Sequence, residues 1–293
     1  MRVLASALSI LFLTAVHPMH AVQAAEDAEA ASRAKINLSG RQRMLTQRMT
    51  AATCLATAGA DRAHRIEVAR ASHMDFDKAL HGLQHGDASL GLPNETNAAV
   101  LAAFAEVEAV WSVLGPAVQQ LVAGDNHSIV LGQLLRLNLP ALKTSNAAVQ
   151  EIVAAYGGGD LDPALARAID VAGRQRMLSQ KMMKEACFVS IGLGAEASAQ
   201  ALLGTIDLFA NSLLQLQRGD SDAGIAPPPT PDVAQQLRAV EALWGDYRTG
   251  LIAALESNGD GIRVADLTAL AAMADEVLAA SHQAVLRYVE ATP

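Results

Sequence analysis

Two arginines, each within a repeated motif, are the residues of this chain best suited to chemistry. Residues 36–49 read INLSGRQRMLTQRM and residues 169–182 read IDVAGRQRMLSQKM, at an offset of 133. A guanidinium presents N–H donors in a planar fork, and two facing guanidiniums can enclose a small oxyanion. The spacing therefore suggests an anion site made by Arg43 and Arg176.

On a helix, each motif divides between two faces. Leu38, Leu45 and Met49 share one face, which is the natural core of the repeat's own bundle. The other face carries a glycine, an arginine, a glutamine and a cysteine. It suits a close contact between two helices, in which the glycines permit approach and the glutamines line the site. Its members are Gly40, Arg43, Gln47 and Cys54 in repeat 1, and Gly173, Arg176, Gln180 and Cys187 in repeat 2.

If these polar faces meet, Arg43 and Arg176 lie near a pseudo-two-fold axis. Two guanidiniums ~7 Å apart repel by ~2–3 kcal/mol at an effective dielectric constant of 20, and an oxyanion between them reverses the sign. Two alternatives remain open: each arginine pairs with a carboxylate of its own bundle, or it projects into solvent. The other basic residues of the motifs are expected to be solvated or ion-paired: Arg41, Arg48, Arg174 and Lys181.

The duplication extends well beyond the motif. The offset of 133 also relates Phe76 to Phe209 and Trp111 to Trp244, and an offset of 136 relates Ser145 to Ser281. Two copies of one fold can form, within one chain, the two-fold interface that a homodimer forms between chains.

Composition favours an all-α protein. The 293 residues are 51% apolar but only 3% aromatic, and alanine and leucine are good helix formers. A net charge of −8 without a Lys/Arg run argues against nucleic acid as a partner. Residues 1–24 are typical of a cleaved secretory signal, with Arg2, an apolar stretch and Ala24 at the cleavage site. An uncleaved anchor is the alternative, and we expect a periplasmic protein.

Helical patterns predict two tandem up-down four-helix bundles, packed as an intramolecular pseudo-dimer with their first helices facing. Pro116 and Pro140 predict kinks or local breaks. The predicted domains are 1–24 (signal peptide), 25–156 (repeat 1), 157–162 (linker) and 163–293 (repeat 2). The predicted helices are about 27–59, 62–85, 96–123, 129–156, 163–193, 196–218, 231–256 and 264–290.

Two other sets of residues could carry chemistry. Cys54 and Cys187 could form a disulfide or remain two buried thiols. A disulfide would require the two helices to converge, because helices at ordinary packing distance are expected to lie too far apart for a bridge. A ladder on the second helix could hold a divalent metal, but repeat 2 lacks it and a solvated face is favoured. It comprises His73, Asp77, His81 and His85. No enzymatic motif is found, and neither catalysis, a metal nor a cofactor is expected.

The motif resembles the P-box of periplasmic nitrate/nitrite sensor kinases. It resembles more closely the N-terminal sensor domain of type IV pilus methyl-accepting chemotaxis transducers (the PilJ-type domain). The resemblance implies a four-helix sensor bundle and, from the nitrate sensors, an anion held between arginines of two facing first helices. By that resemblance Arg43 and Arg176 match the ligand arginine, and Gly40 and Gly173 match the neighbouring glycine.

The chain departs from that family in three ways. It carries two sensor domains in tandem, and it shows neither a second membrane span nor a signalling or kinase region. Any signal is therefore expected to leave through a periplasmic or membrane partner. Asn37 of repeat 1 is replaced by Asp170 in repeat 2, which makes the two half-sites unequal and disfavours anion binding.

The function expected from the sequence is an exported sensor for a small anion, nitrate or nitrite being the leading candidates. The rival expectation is a ligand-free interaction module, accessory to a pilus or chemosensory assembly. Metal binding by the histidine ladder is a weaker third.

Overall fold

The protein folds into eight α-helices, as seen in a computed structural model that describes residues 18–124, 128–157, 161–256 and 262–291. Most of the expected signal peptide (1–17) and the middle of the expected linker (158–160) lie outside the described residues. The helices are α1 (Pro18–Ala58), α2 (Arg62–His85), α3 (Ala98–Val122), α4 (Ser128–Tyr156), α5 (Pro163–Ser190), α6 (Ala195–Arg218), α7 (Pro231–Glu256) and α8 (Val264–Glu290).

Local signals set most helix ends. Asp162 caps α5 by accepting a hydrogen bond from the Leu165 amide at 2.9 Å, and Pro163 follows at the first helical position. Helices α2 and α6 end at Gly86 and Gly219, which have φ of 80° and 77°. A Cβ at these glycines would lie 2.8 and 2.9 Å from backbone nitrogens of the following loops, so only glycine fits.

The helices form two up-down bundles that pack side by side. In the first, α1 packs on α2 and α4, and α3 packs between the same two neighbours. In the second, α5 packs on α6 and α8, and α7 completes the ring. The first helices α1 and α5 make the main contact between the bundles. The all-α fold with tandem bundles agrees with the sequence prediction.

Each bundle has the same aromatic core. Phe76 packs on Trp111 with ring centroids 4.1 Å apart, and their repeat-2 equivalents Phe209 and Trp244 do so at 4.3 Å. Such pairs bury large apolar areas at the centre of each ring of helices.

Two details differ from the sequence prediction. Helices α3 and α4 continue through Pro116 and Pro140, so the expected local breaks do not occur. The neighbouring Ala117, Val118 and Ala141 are buried in the core, and this packing compensates for the lost backbone hydrogen bond. Helix α1 begins at Pro18, earlier than the expected residue 27.

One described helix, α3, is long and apolar enough to cross a membrane by length and composition. Its buried residues include Phe104 and Trp111, which belong to the core of the first bundle. That packing accounts for the apolar residues on its buried face.

A disulfide joins the two first helices. Cys54 of α1 and Cys187 of α5 are bonded, with their Cα atoms 6.2 Å apart. Helix axes at the usual distance of ~8–10 Å already allow this separation, because each Cα atom lies about 2.3 Å from its helix axis. The two repeats are covalently clamped at equivalent positions.

Removing this clamp should destabilise the protein. The Cys54→Ser/Cys187→Ser variant should lose about 2–5 kcal/mol of unfolding free energy, because the disulfide closes a long loop in the unfolded chain. Urea denaturation with and without reductant measures this loss. The reductant should lower the midpoint of the wild type and leave the double variant unchanged. Equal midpoints for both proteins under oxidising conditions would contradict the prediction.

Candidate functional site

Two buried guanidiniums lie side by side between α1 and α5. Arg43 is 0% exposed and Arg176 is 1% exposed. A Cβ placed on Gly40 would lie 3.4 Å from the Nη2 atoms of both arginines, and one on Gly173 would lie 3.4 and 3.5 Å from them. The two Nη2 atoms are therefore at most about 7 Å apart, a separation at which unit charges repel by roughly 2–3 kcal/mol at an effective dielectric constant of 20. The structure thus brings together four of the six residues expected from the sequence.

Arg43 of α1 is neutralised by a carboxylate from the other repeat. Its Nη2 forms an ion pair with Asp170 Oδ1 at 2.7 Å and donates to the Asp170 carbonyl at 3.2 Å. Its Nη1 donates to Asn146 Oδ1 of α4 at 3.0 Å. This arrangement matches neither alternative from the sequence, because the carboxylate comes from the opposite bundle.

Arg176 of α5 has the same set of contacts without a carboxylate. Its Nη1 donates to Asn37 Oδ1 at 2.9 Å, and its Nη2 donates to the Asn37 carbonyl at 3.1 Å. The Nδ1 atom of His282 lies 3.3 Å from Nη1. Asn37 is the repeat-1 equivalent of Asp170, so the difference between the repeats decides which arginine is neutralised.

The local charge balance is consequently positive. Burial and the nearby charges of Arg43 and Arg41 lower the pKa of Arg176 to about 9. Burial acts to raise the pKa of Asp170, but the charges of Arg43 and Arg174 outweigh it and hold that pKa below its usual value. Near neutral pH the site therefore holds two guanidinium charges against one buried carboxylate.

Each arginine also retains an unused donor. The Nε atoms of Arg43 and Arg176 are buried and make no hydrogen bond within the described part of the chain. A buried donor without a partner is costly, and a charge-assisted acceptor would relieve that cost. The geometry can therefore offer free N–H groups and a surplus positive charge to an anion.

The two glutamines of the polar faces form hydrogen bonds with groups other than the arginines. Gln47 donates to the Thr46 hydroxyl at 3.1 Å and accepts from Lys184 at 2.9 Å, while Gln180 donates to the Ala274 carbonyl at 3.3 Å. The expectation that they line the anion site therefore finds no support in these contacts. They occupy the same stripe but lie one turn nearer the disulfide.

Lys184, next to Gln47, is a buried cation outside the arginine pair. It is 3% exposed, and its Nζ also donates to Asn138 Oδ1 at 3.2 Å. Burial and the charge of Lys181 lower the pKa of Lys184 to about 8, although Glu185 opposes them. Repeat 1 has Ala51 at the equivalent position.

The other basic residues of the motifs are ion-paired, as expected for that face. Arg41 pairs with Asp75, Arg48 with Asp275 at 3.3 Å, Arg174 with Asp170 at 3.3 Å and Lys181 with Glu185.

The histidine ladder on α2 is used partly for packing. His73 stacks on Trp111 with ring centroids 4.9 Å apart, and Asp77 accepts a hydrogen bond from the Trp111 indole at 3.0 Å. Among the described residues, no group of His, Cys, Asp or Glu is arranged to hold a metal ion.

Sequence reasoning missed the partners that come from the fourth helices. Asn146 of α4 and His282 of α8 contact Arg43 and Arg176 respectively. The offset of 136, which relates Ser145 to Ser281, also relates these two residues. A polar residue at the same place in both fourth helices was the available signal.

The fold and the site define an all-helical module of two tandem bundles with a charged interface between its first helices. Two stretches, residues 24–137 and 164–270, match the family described as "Type IV pili methyl-accepting chemotaxis transducer N-term" (PilJ). These stretches cover most of the chain, so the protein belongs to this family and carries two tandem copies of its domain.

A curated relative supports the same class. Over 83 residues the chain is 39% identical to "Methyl-accepting chemotaxis protein McpN" of Pseudomonas aeruginosa. The match covers 28% of this chain and 15% of that protein, so the chain spans only a small part of the relative's length. The protein is thus assigned to a family of chemotaxis sensor domains, a class associated with signalling and not with catalysis.

The Asp170 ion pair should contribute stability that depends on pH. The pKa of Asp170 is lower in the folded protein than in the unfolded chain. The stabilisation by this ion pair is therefore present above the unfolded pKa of ~3.9, and it is lost as the pH falls through the folded pKa. Asp170→Asn should lower the unfolding free energy by about 1–3 kcal/mol at pH 7, and this difference should shrink below about pH 4. Denaturation between pH 3 and pH 7 measures it, with exposed Asp207→Asn as control. A constant difference would contradict the assignment.

Lys184 should impose a pH dependence of the same sign in a higher pH range. Between pH ~8 and ~10 the unfolded chain holds a proton that folded Lys184 has lost, so stability rises with pH across that window. The wild type should gain on the order of 2–3 kcal/mol there relative to Lys184→Met. Denaturation at pH 7, 8, 9 and 10 tests this, with exposed Lys143→Met as the matched control. Parallel profiles for wild type and Lys184→Met would refute it.

Proposed function

We propose that this protein is an exported sensor that binds a small anion at the interface of α1 and α5. Nitrate and nitrite are the leading ligand candidates. The observation that supports this most is Arg176, which is buried beside Arg43 and has only neutral partners among the described residues. A triatomic oxyanion would supply the missing negative charge and accept hydrogen bonds from the fork.

The inequality of the half-sites sets how the anion would bind. Asp170 already acts as an internal anion for Arg43, so the ligand would bind mainly through Arg176. Its affinity would be lower than that of a site with two free arginines, because the carboxylate repels a second negative charge. Binding would reduce the repulsion between the arginines and thereby change the spacing of the first helices.

The signal would pass to a periplasmic or membrane protein. Family membership and the relative's name, a methyl-accepting chemotaxis protein, support a role in chemosensory signalling. Cleavage after Ala24 would release the chain into the periplasm. Mass spectrometry of the N-terminus of the exported protein tests this part of the proposal.

A second function is favoured by one specific contact. The Arg43–Asp170 pair already joins the two repeats without a ligand, as a packing seam would. Under that reading the protein is a ligand-free accessory module that binds a pilus or signalling protein.

Two matched variants separate these functions. In thermal-shift titrations with nitrate, nitrite, sulfate and chloride at constant ionic strength, the wild type should be stabilised selectively by nitrate or nitrite. At 100 times the Kd the gain should be ~2.7 kcal/mol. Asp170→Asn frees Arg43 and should lower the Kd at least ~tenfold, equivalent to ~1.4 kcal/mol. Asn37→Asp supplies a carboxylate to Arg176 and should abolish binding.

The control is Arg176→Ala, which should remove the selective shift even in the Asp170→Asn background. If neither the wild type nor Asp170→Asn responds selectively to any anion, the anion sensor is wrong and the ligand-free module is retained. A selective response that survives Arg176→Ala would place the site elsewhere.

A further inference from the structure

A cleft runs outward from Arg176 along the boundary between the two repeats. Its volume is about 520 Å³, and it lies between α1, α2 and α8. Small-molecule pockets typically enclose ~300–1,000 Å³, far more than a three-atom anion needs. The space next to the unneutralised arginine therefore suits a larger molecule.

The floor of the cleft is apolar. It is formed by Met44 and Leu45 of α1, Val68 of α2 and Leu278 of α8. These four side chains are each at least nine-tenths buried, so they form a preformed surface and not a set of mobile side chains. Ala71 of α2 and Ala279 of α8 also line the cleft, and their small side chains are exposed.

The charged groups around the cleft leave one cation unmatched. Asp75 pairs with Arg41, and Asp275 pairs with Arg65 at 2.8 Å and with Arg48 at 3.3 Å. Glu67 pairs with Arg70 at 2.6 Å. Within the described ranges each lining acid thus has a basic partner, whereas Arg176 has only Asn37 and His282.

His282 adds a neutral donor beside that cation. Burial and the charges of Arg176 and Arg41 lower the pKa of His282 to about 4, so the imidazole is neutral near pH 7. With Nδ1 accepting from Arg176, the ring proton lies on Nε2. The inner end of the cleft therefore combines a guanidinium with an N–H donor, and its floor is hydrocarbon.

We propose that this cleft binds an organic carboxylate with a short apolar body, the carboxylate lying against Arg176 and the hydrocarbon against Met44, Leu45, Val68 and Leu278. The proposal rests on the proposed function, because Arg176 serves both, and it extends the ligand class from triatomic anions to carboxylic acids of about six carbons. Each fully buried methylene should tighten binding roughly fourfold.

Calorimetric titration of the purified, disulfide-bonded protein with acetate, hexanoate and nitrate tests it. Hexanoate should bind at least ~tenfold more tightly than acetate, since part of its chain is buried. Ala71→Trp fills the cleft and should abolish this preference. The matched control is Gly204→Trp, which changes the repeat-2 equivalent, where a side chain has open space around it. Thermal unfolding and circular dichroism establish that each variant is folded. Ala279→Trp, a second substitution in the lining of the cleft, replaces Ala71→Trp if the latter does not fold.

The outcomes distinguish this proposal from the anion sensor. If nitrate binds and hexanoate binds no better than acetate, the cleft proposal is wrong and the anion sensor stands. If hexanoate preference survives both tryptophan variants in the cleft, the site is elsewhere and the proposal fails. If the carboxylates bind through Arg176 and nitrate does not, the cleft proposal is supported, and the ligands of the site are carboxylic acids and not triatomic anions. If no anion binds through Arg176, both proposals fail.

Discussion

A buried positive charge without a carboxylate partner, held between α1 and α5, is the interaction on which this site depends. Two guanidiniums within about 7 Å of each other would separate the helices unless other contacts opposed them. The chain opposes them with one carboxylate, with the carbonyls of Asn37 and Asp170, and with the Cys54–Cys187 disulfide. The interface is thus kept closed while one charge remains unmatched.

Gene duplication within one chain permits this asymmetry. In a symmetric homodimer, an Asn-to-Asp change would occur in both subunits and would neutralise both arginines or neither. In a tandem chain Asp170 can appear once, with Asn37 kept in the other repeat. The same freedom places Lys184 where the first repeat has Ala51, and His282 where the first repeat has Asn146. Each copy contributes a different half of one site.

Features set by local chemistry could be predicted from the sequence, and features set by side-chain rotation could not. The end of α2 before Gly86 and the start of α7 after Thr230 match the predicted ranges, because a glycine and a cap act within a few residues. The pairing of the first helices followed from the repeated stripe of Gly40 and Arg43. The stripe did not show that Gln47 would contact Lys184, because that choice depends on a residue from another helix. The disulfide required knowing that the Cα atoms of Cys54 and Cys187 face each other at 6.2 Å, which depends on how α1 and α5 are rotated.

The positions of these anchors limit how the interface can move. The disulfide lies 11 residues beyond Arg43, about 16 Å along the helix, and it prevents α1 from sliding past α5. At the other end, Arg33 of α1 donates to the Val289 carbonyl of α8 at 2.9 Å, and Lys35 pairs with Glu95 at 2.8 Å. A change in charge at the arginines therefore acts between two fixed points. The change of helix spacing or rotation proposed for anion binding would thus be confined to the stretch of α1 between the Arg33 contact and the disulfide.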